Sequence, residues 1–119
     1  FEAGMGRFVK LDKGYFVGRD AASDIAAAGP ERNLCAFTID ADGSDVVGDE
    51  PIWHDGEVVG WATSGGYAHH SQASCALGYV PAGIATSDTG FQIEVVGTRR
   101  EATRLDEPLF DPTGSRMRG

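Results

Sequence analysis

From Leu34 onward, apolar and polar positions alternate with a period of two, and turn residues cut the alternation at short intervals. Leu34 to Asp40 (LCAFTID) reads as a strand ended by the turn Ala41-Asp42-Gly43-Ser44, with Val46 and Val47 as a brief continuation of the sheet. Ile52-Trp53 and Glu57 to Thr63 flank His54-Asp55-Gly56. An Asp-Gly pair between alternating apolar runs is a strong hairpin signal, so this stretch predicts two paired strands with Trp53 or Trp61 facing inward. Thr63-Ser64-Gly65-Gly66 then breaks the pattern as a tight connection in which glycine permits positive φ. Ser74 to Val80 (SCALGYV) is almost continuously apolar, which predicts a strand buried on both faces, with Leu77 in the core, closed by Pro81. Phe91 to Val96 alternates cleanly, with Phe91, Ile93 and Val95 on one face. Gly97-Thr98 turns, and Arg99 to Leu105 runs back.

The segments on either side differ. Phe1 to Gly14 is mixed and extended, with glycines at 4, 6 and 14. Gly18 to Ala28 (GRDAASDIAAA) predicts a short helix. Alanine is the best helix former, Ala21, Ala22, Ile25 and Ala26 share a face, Asp20 suits the positive end of the helix dipole, and Gly29-Pro30 stops it. Leu109-Phe110 is a last apolar anchor before a polar tail. About six short strands at roughly ten-residue spacing predict a mostly β fold, either a small closed barrel or a sandwich.

Composition narrows the function classes. The chain has 119 residues and a net charge of -8. That balance argues against nucleic acid and against an anionic membrane surface as partners, because both call for a basic face. No apolar run approaches the roughly 20 residues of a spanning helix. The chain opens on Phe-Glu-Ala-Gly, without an initiator Met or a signal region, and is expected to be a piece of a longer protein. Cys35 and Cys75 are expected to be two buried free thiols in a cytoplasmic protein, with one disulfide as the alternative.

No constellation marks a catalytic centre. Gly4-Met5-Gly6 lacks the third glycine and the following helix of a dinucleotide fingerprint. His54, His69 and His70 lack metal-ligand spacing and are read as solvated loop histidines. Ser64 lies in no nucleophile elbow. The acidic run Asp40, Asp42, Asp45, Asp49, Glu50 lacks the sixth-position Gly and twelfth-position Glu of a calcium loop and is read as a solvated turn. No catalytic residue and no metal ligand is therefore assigned. Arg99, Arg100, Arg104, Arg116 and Arg118 collect positive charge toward the C-terminus. They are expected to pair with the abundant carboxylates, and the alternative is that one or two approach an anionic ligand or another domain.

The stretch Gly56 to Pro81, GEVVGWATSGGYAHHSQASCALGYVP, resembles the C-terminal barrel of the glycine-cleavage T-protein (aminomethyltransferase) family. The resemblance is carried by Gly60, Thr63, Ser64, Gly65 and the run Ala76-Leu77-Gly78-Tyr79-Val80, with Ala62 standing where the family often has Val. Phe1 to Ala21 resembles the last segment of the family's folate-binding domain. Glu107 to Gly119 is more similar to the dimethylglycine and sarcosine dehydrogenase branch, as are Trp53-His54-Asp55-Gly56 and Tyr67-Ala68-His69. The resemblance implies a small six-stranded Greek-key barrel over residues 31–119, preceded in 1–30 by the end of the folate-binding domain with its one short helix.

It also implies a part of a larger enzyme. Tetrahydrofolate would take up a one-carbon unit beside this barrel, most of its site and its working carboxylate would lie upstream, and FAD would occupy a separate upstream domain. The upstream folate-binding and FAD domains would be the partners, and the chain alone would be inactive. Lys13 and Arg116 are the cations the resemblance brings nearest to the folate. The alternatives are an aminomethyltransferase of the glycine-cleavage system and a non-catalytic interaction barrel.

Overall fold

The computed structural model describes all of residues 1–119. Six strands, β1 (Arg32–Ile39), β2 (Pro51–His54), β3 (Glu57–Ala68), β4 (Ala73–Pro81), β5 (Phe91–Val95) and β6 (Thr98–Leu105), close into an antiparallel barrel in the order β1-β4-β3-β2-β5-β6. β2, β3 and β4 form a meander, and β1 lies beside β4, which makes the connectivity a Greek key. Helix α1 (Arg19–Ala28) precedes the barrel, and a single turn, α2 (Ser115–Arg118), ends the chain. The mostly β, six-stranded barrel expected from the sequence is the fold observed.

Closure follows from the alternation. Phe37 and Ile39 on β1, Ile52 on β2, Ala62 on β3, Ala76 and Val80 on β4, and Phe91, Ile93 and Val95 on β5 all point inward and are buried. Phe37 and Phe91 meet edge to face at the centre, with ring centroids 5.2 Å apart. The β2–β3 turn is the expected hairpin. Asp55 and Gly56 both take positive φ (50° and 89°), the type I′ pattern that Asp-Gly favours.

Several expectations are corrected. Neither tryptophan faces inward. The inner positions of β3 are Gly60 and Ala62, packed close to the β4 backbone, so Trp61 stands on the outer surface. Trp53 also lies outside, donating Nε1–H to Glu94 at 3.1 Å beneath the Arg99 guanidinium. Thr63 to Gly66 does not end the strand. β3 runs on to Ala68 through a bulge between Ala62 and Ser64, which absorbs the irregular residues. β4 is not buried on both faces, because only Ala76, Gly78 and Val80 point inward, and Leu77 is 42% exposed. Val46 and Val47 form no strand. Val46 is a buried plug in the β1–β2 connection and Val47 is exposed.

His54 is not a solvated loop residue, since it ends β2 and packs on Phe91 with ring centroids 4.6 Å apart. Both cysteines are free, yet only Cys35 is buried and Cys75 is half-buried on the outer row of β4. Helix α1 forms where the sequence placed it but buries none of its residues, and the Leu109-Phe110 anchor stays substantially exposed.

Candidate functional site

The outward rows of β1 and β4 are unusually apolar. Leu34 pairs across the ladder with Tyr79, and Ala36 with Leu77. On the other flank Trp61 pairs with Tyr79, their rings 6.5 Å apart. A groove of about 810 Å³ runs over part of this face. Its floor includes Leu34, Ala36, Cys75 and Leu77. One side is formed by Leu105 to Phe110 after β6, the other by the glycine-rich half of β3 from Ser64 to Gly66. The start of the chain reaches it too, because Leu34 N–H donates to the Glu2 carbonyl at 2.8 Å.

Two arginines show how the charges are spent. Arg104 sits on an inward position of β6 opposite Phe37, at the groove end of the barrel, with its side chain only 11% exposed. It donates Nε–H to the Ser87 carbonyl at 3.1 Å and Nη2–H to Asp88 and Asp106 at 3.2 and 2.6 Å. The hydrogen bond to Asp106 is the largest influence raising its pKa still further, so this cation is locked to the protein's own carboxylates. Arg100, inward on the same strand, pairs with Asp42 at 3.3 Å. Of the five C-terminal arginines, only Arg100 and Arg104 follow the expected pairing with carboxylates, while Arg99 lies over Trp53, Arg116 over Phe110, and Arg118 donates to the Thr113 carbonyl. Burial also raises the pKa of both thiols, which keeps Cys35 and Cys75 protonated at neutral pH.

The two cations expected near a folate lie apart. Lys13 is exposed in the N-terminal segment, its Nζ 4.9 Å from the centre of the Phe16 ring. Arg116 lies on α2. Its backbone N–H donates to the Asp111 carboxylate, and its guanidinium lies over Phe110 at 5.1 Å. Phe110 in turn packs on His70 at 4.4 Å and lines the groove, so Arg116 stands at the groove's rim.

Arg32 was not singled out by the sequence. Its guanidinium lies over the Trp61 ring at 4.7 Å, and its Nη1 is enclosed without a hydrogen-bond partner. An enclosed donor without an acceptor is costly, so this nitrogen suits an acceptor brought by another molecule or domain. Only the pairing of a strand-initial Arg with an outward Trp could have signalled it, and that needed the register of three strands.

His69 and His70 lie exposed in the β3–β4 turn, as expected. No group of three or more His, Cys, Asp or Glu side chains gathers where one metal ion could be held. No helix is long and apolar enough to cross a membrane.

The architecture defines a small Greek-key barrel whose distinctive surface is an apolar outer groove. The chain belongs to the family described as the glycine cleavage T-protein C-terminal barrel domain, which it matches over residues 32–111. It is 39% identical over 119 residues to the mitochondrial dimethylglycine dehydrogenase of Homo sapiens, covering 98% of this chain and 14% of that protein. It is 37% identical over 111 residues to a probable aminomethyltransferase of Haloarcula marismortui, covering 93% of this chain and 30% of that one. The chain therefore spans about a seventh of the first of these relatives and under a third of the second. In shape it matches the glycine cleavage system aminomethyltransferase T of Bartonella henselae with a TM-score of 0.81 at 21% identity, over 93% of this chain and 32% of that one.

Proposed function

We propose that this barrel is the last domain of an FAD-dependent enzyme of the dimethylglycine or sarcosine dehydrogenase type, and that it borders the site where tetrahydrofolate takes up a one-carbon unit. The observation that carries the reading is the 39% identity to a dimethylglycine dehydrogenase over 98% of the chain. On this reading residues 1–30 are the end of the folate-binding domain. The lack of buried residues in α1 supports that assignment, since a helix without a core of its own needs a neighbour to pack on. Amine oxidation and the working carboxylate belong to the preceding domains, and the barrel alone is inactive. Its contribution is positive charge at the edge of the folate site. Arg116 and Lys13 suit the carboxylates of the folate tail, and Arg32 adds a guanidinium nitrogen in need of an acceptor. Two free thiols suit a reducing compartment such as the cytoplasm.

The test is made on the intact parent protein. It should purify with a flavin spectrum, be reduced by dimethylglycine or sarcosine, and bind tetrahydrofolate. A parent that binds folate but holds no flavin would instead be an aminomethyltransferase, the reading favoured by the 37% identity to the Haloarcula protein. A parent that binds neither would leave the barrel as an interaction module.

A further inference from the structure

Residues 107–119 form a unit whose polar bonds close on itself. The Asp111 carboxylate accepts the Ser115 hydroxyl and the Arg116 N–H, both at 3.1 Å. The Gly114 N–H donates to the Asp111 carbonyl at 2.8 Å, and Arg118 donates to the Thr113 carbonyl. No hydrogen bond or ion pair joins these residues to the rest of the chain. The nearest such tie comes one residue earlier, where Arg104 holds Asp106 at 2.6 Å. What reaches across is aromatic. β3 continues past its pairing with β2 to Ala68, and the turn at its end carries His70. There the imidazole packs on Phe110, with ring centroids 4.4 Å apart and planes at 69°. We propose that His70 is a positioning residue for Arg116. It holds Phe110, Phe110 holds the Arg116 guanidinium, and this stack latches the C-terminal segment to the β3–β4 turn with a cation presented at the groove's rim. The proposal rests on the reading that Arg116 meets the carboxylates of a folate tail, and deepens it by naming what keeps the cation there.

Each joint of the latch has its own footing. The β3–β4 hairpin is braced near its end, because Ser74 Oγ–H donates to Asp45 at 2.6 Å. The Arg116 guanidinium lies over the Phe110 ring at 5.1 Å, within the range of a cation–π contact. The Asp111 carboxylate bonds the first turn of α2, so the backbone that carries Arg116 is set by the residue next to Phe110. Without the His70 contact, Arg116 would hang from the clamp on Asp106 by the intervening chain. A ligand would then have to order that chain as it bound, which weakens affinity. The neighbouring His69 does not share this work, since its ring packs on Tyr67 at 5.0 Å.

The test uses the intact parent protein and two readouts: hydrogen exchange of the peptide covering residues 107–119, and the Kd for tetrahydrofolate. His70→Ala should speed exchange in that peptide by about threefold to tenfold, as expected for the loss of one aromatic pair. It should also raise the Kd by about threefold. His70→Phe, which keeps a ring against Phe110, should restore both. His69→Ala, in the same turn but packed on Tyr67, should change neither. Because His70 acts through Arg116, adding His70→Ala to Arg116→Ala should leave the Kd where Arg116→Ala alone puts it. Exchange indifferent to His70→Ala would overturn the proposal, as would a failure of His70→Phe to rescue. So would a Kd effect of His70→Ala that persists in full without Arg116. Faster exchange, with a Kd that neither His70→Ala nor Arg116→Ala alters, would keep the latch and remove Arg116 from the folate site. A failure of the folate reading is thus seen separately from a failure of the latch.

Discussion

Val46 fills the space that the missing side chain of Gly65 leaves on β3. A Cβ on Gly65 would fall 2.5 Å from the Val46 Cβ and 2.8 Å from its carbonyl oxygen. The plug also ties the long β1–β2 connection to the barrel, helped by Glu50, whose carboxylate accepts the Val47 and Gly48 N–H groups at 2.8 Å. Gly65→Ala should therefore destabilise the barrel by about 1 to 3 kcal/mol through overpacking. Combining it with Val46→Ala should cost less than the sum of the two single changes, because both act on one space. Urea denaturation of the four proteins measures the cycle, and strict additivity would show that the two residues do not compete.

The second expectation concerns which apolar residues hold the barrel together. Ile93 is fully buried, so Ile93→Ala should cost about 2 to 5 kcal/mol. Leu77 is 42% exposed, so Leu77→Ala should cost about 1 kcal/mol or less in the 119-residue chain. Equal shifts in the denaturation midpoints would mean that Leu77 is covered in solution.

That contrast shows what the sequence could and could not carry. β1 and β5 were legible because Phe37, Ile39, Phe91, Ile93 and Val95 recur at every second position, and the β2–β3 hairpin because the Asp55-Gly56 turn has one favoured geometry. Leu77 was misjudged because a strand with an apolar outer row and a strand buried on both faces read alike, both as continuous apolar sequence. Ser64 to Gly66 was misjudged because a bulge keeps a strand going where the local residues favour a turn. The candidate site was less legible than the fold. Arg116 was singled out through the family resemblance, whereas Arg32 depends on a stack with Trp61 across two ladders that no spacing in the sequence reports.

A pH dependence follows from the thiol inside the barrel. Burial raises the Cys35 pKa above its ordinary value of 9.0, with the Arg104 charge a smaller opposing influence. As pH climbs past 9.0, the unfolded thiol ionises first, so the unfolded state binds fewer protons than the folded one. This part of the stability is fully present below that pH and is lost as pH rises toward the folded value. Urea unfolding between roughly pH 8 and pH 10.5 should show stability falling in the native chain and falling less steeply in Cys35→Ala. Identical slopes would show that the Cys35 thiol does not contribute to the loss.

The last expectation concerns the cations at the folate edge. A net-acidic chain must meet the carboxylates of a folate tail with local positive charge, and Arg116 stands at the groove rim over Phe110 without an acidic side chain in ion-pair contact. In the intact parent, Arg116→Ala should raise the Kd for tetrahydrofolate by about tenfold, the effect of losing one charge-assisted contact. Lys13→Ala should have a smaller effect, because a flexible ammonium cannot make the bidentate contact of a guanidinium. Both effects should shrink with added salt if the contacts are exposed. Amine oxidation measured with an artificial electron acceptor should stay unchanged, since neither residue belongs to the flavin domain on this reading. Folate affinity unaltered in Arg116→Ala but weakened in Arg32→Met would move the anion contact from the C-terminal turn to the Trp61 face. Affinity unaltered in all three variants would leave the barrel as a structural cap on a site built wholly upstream.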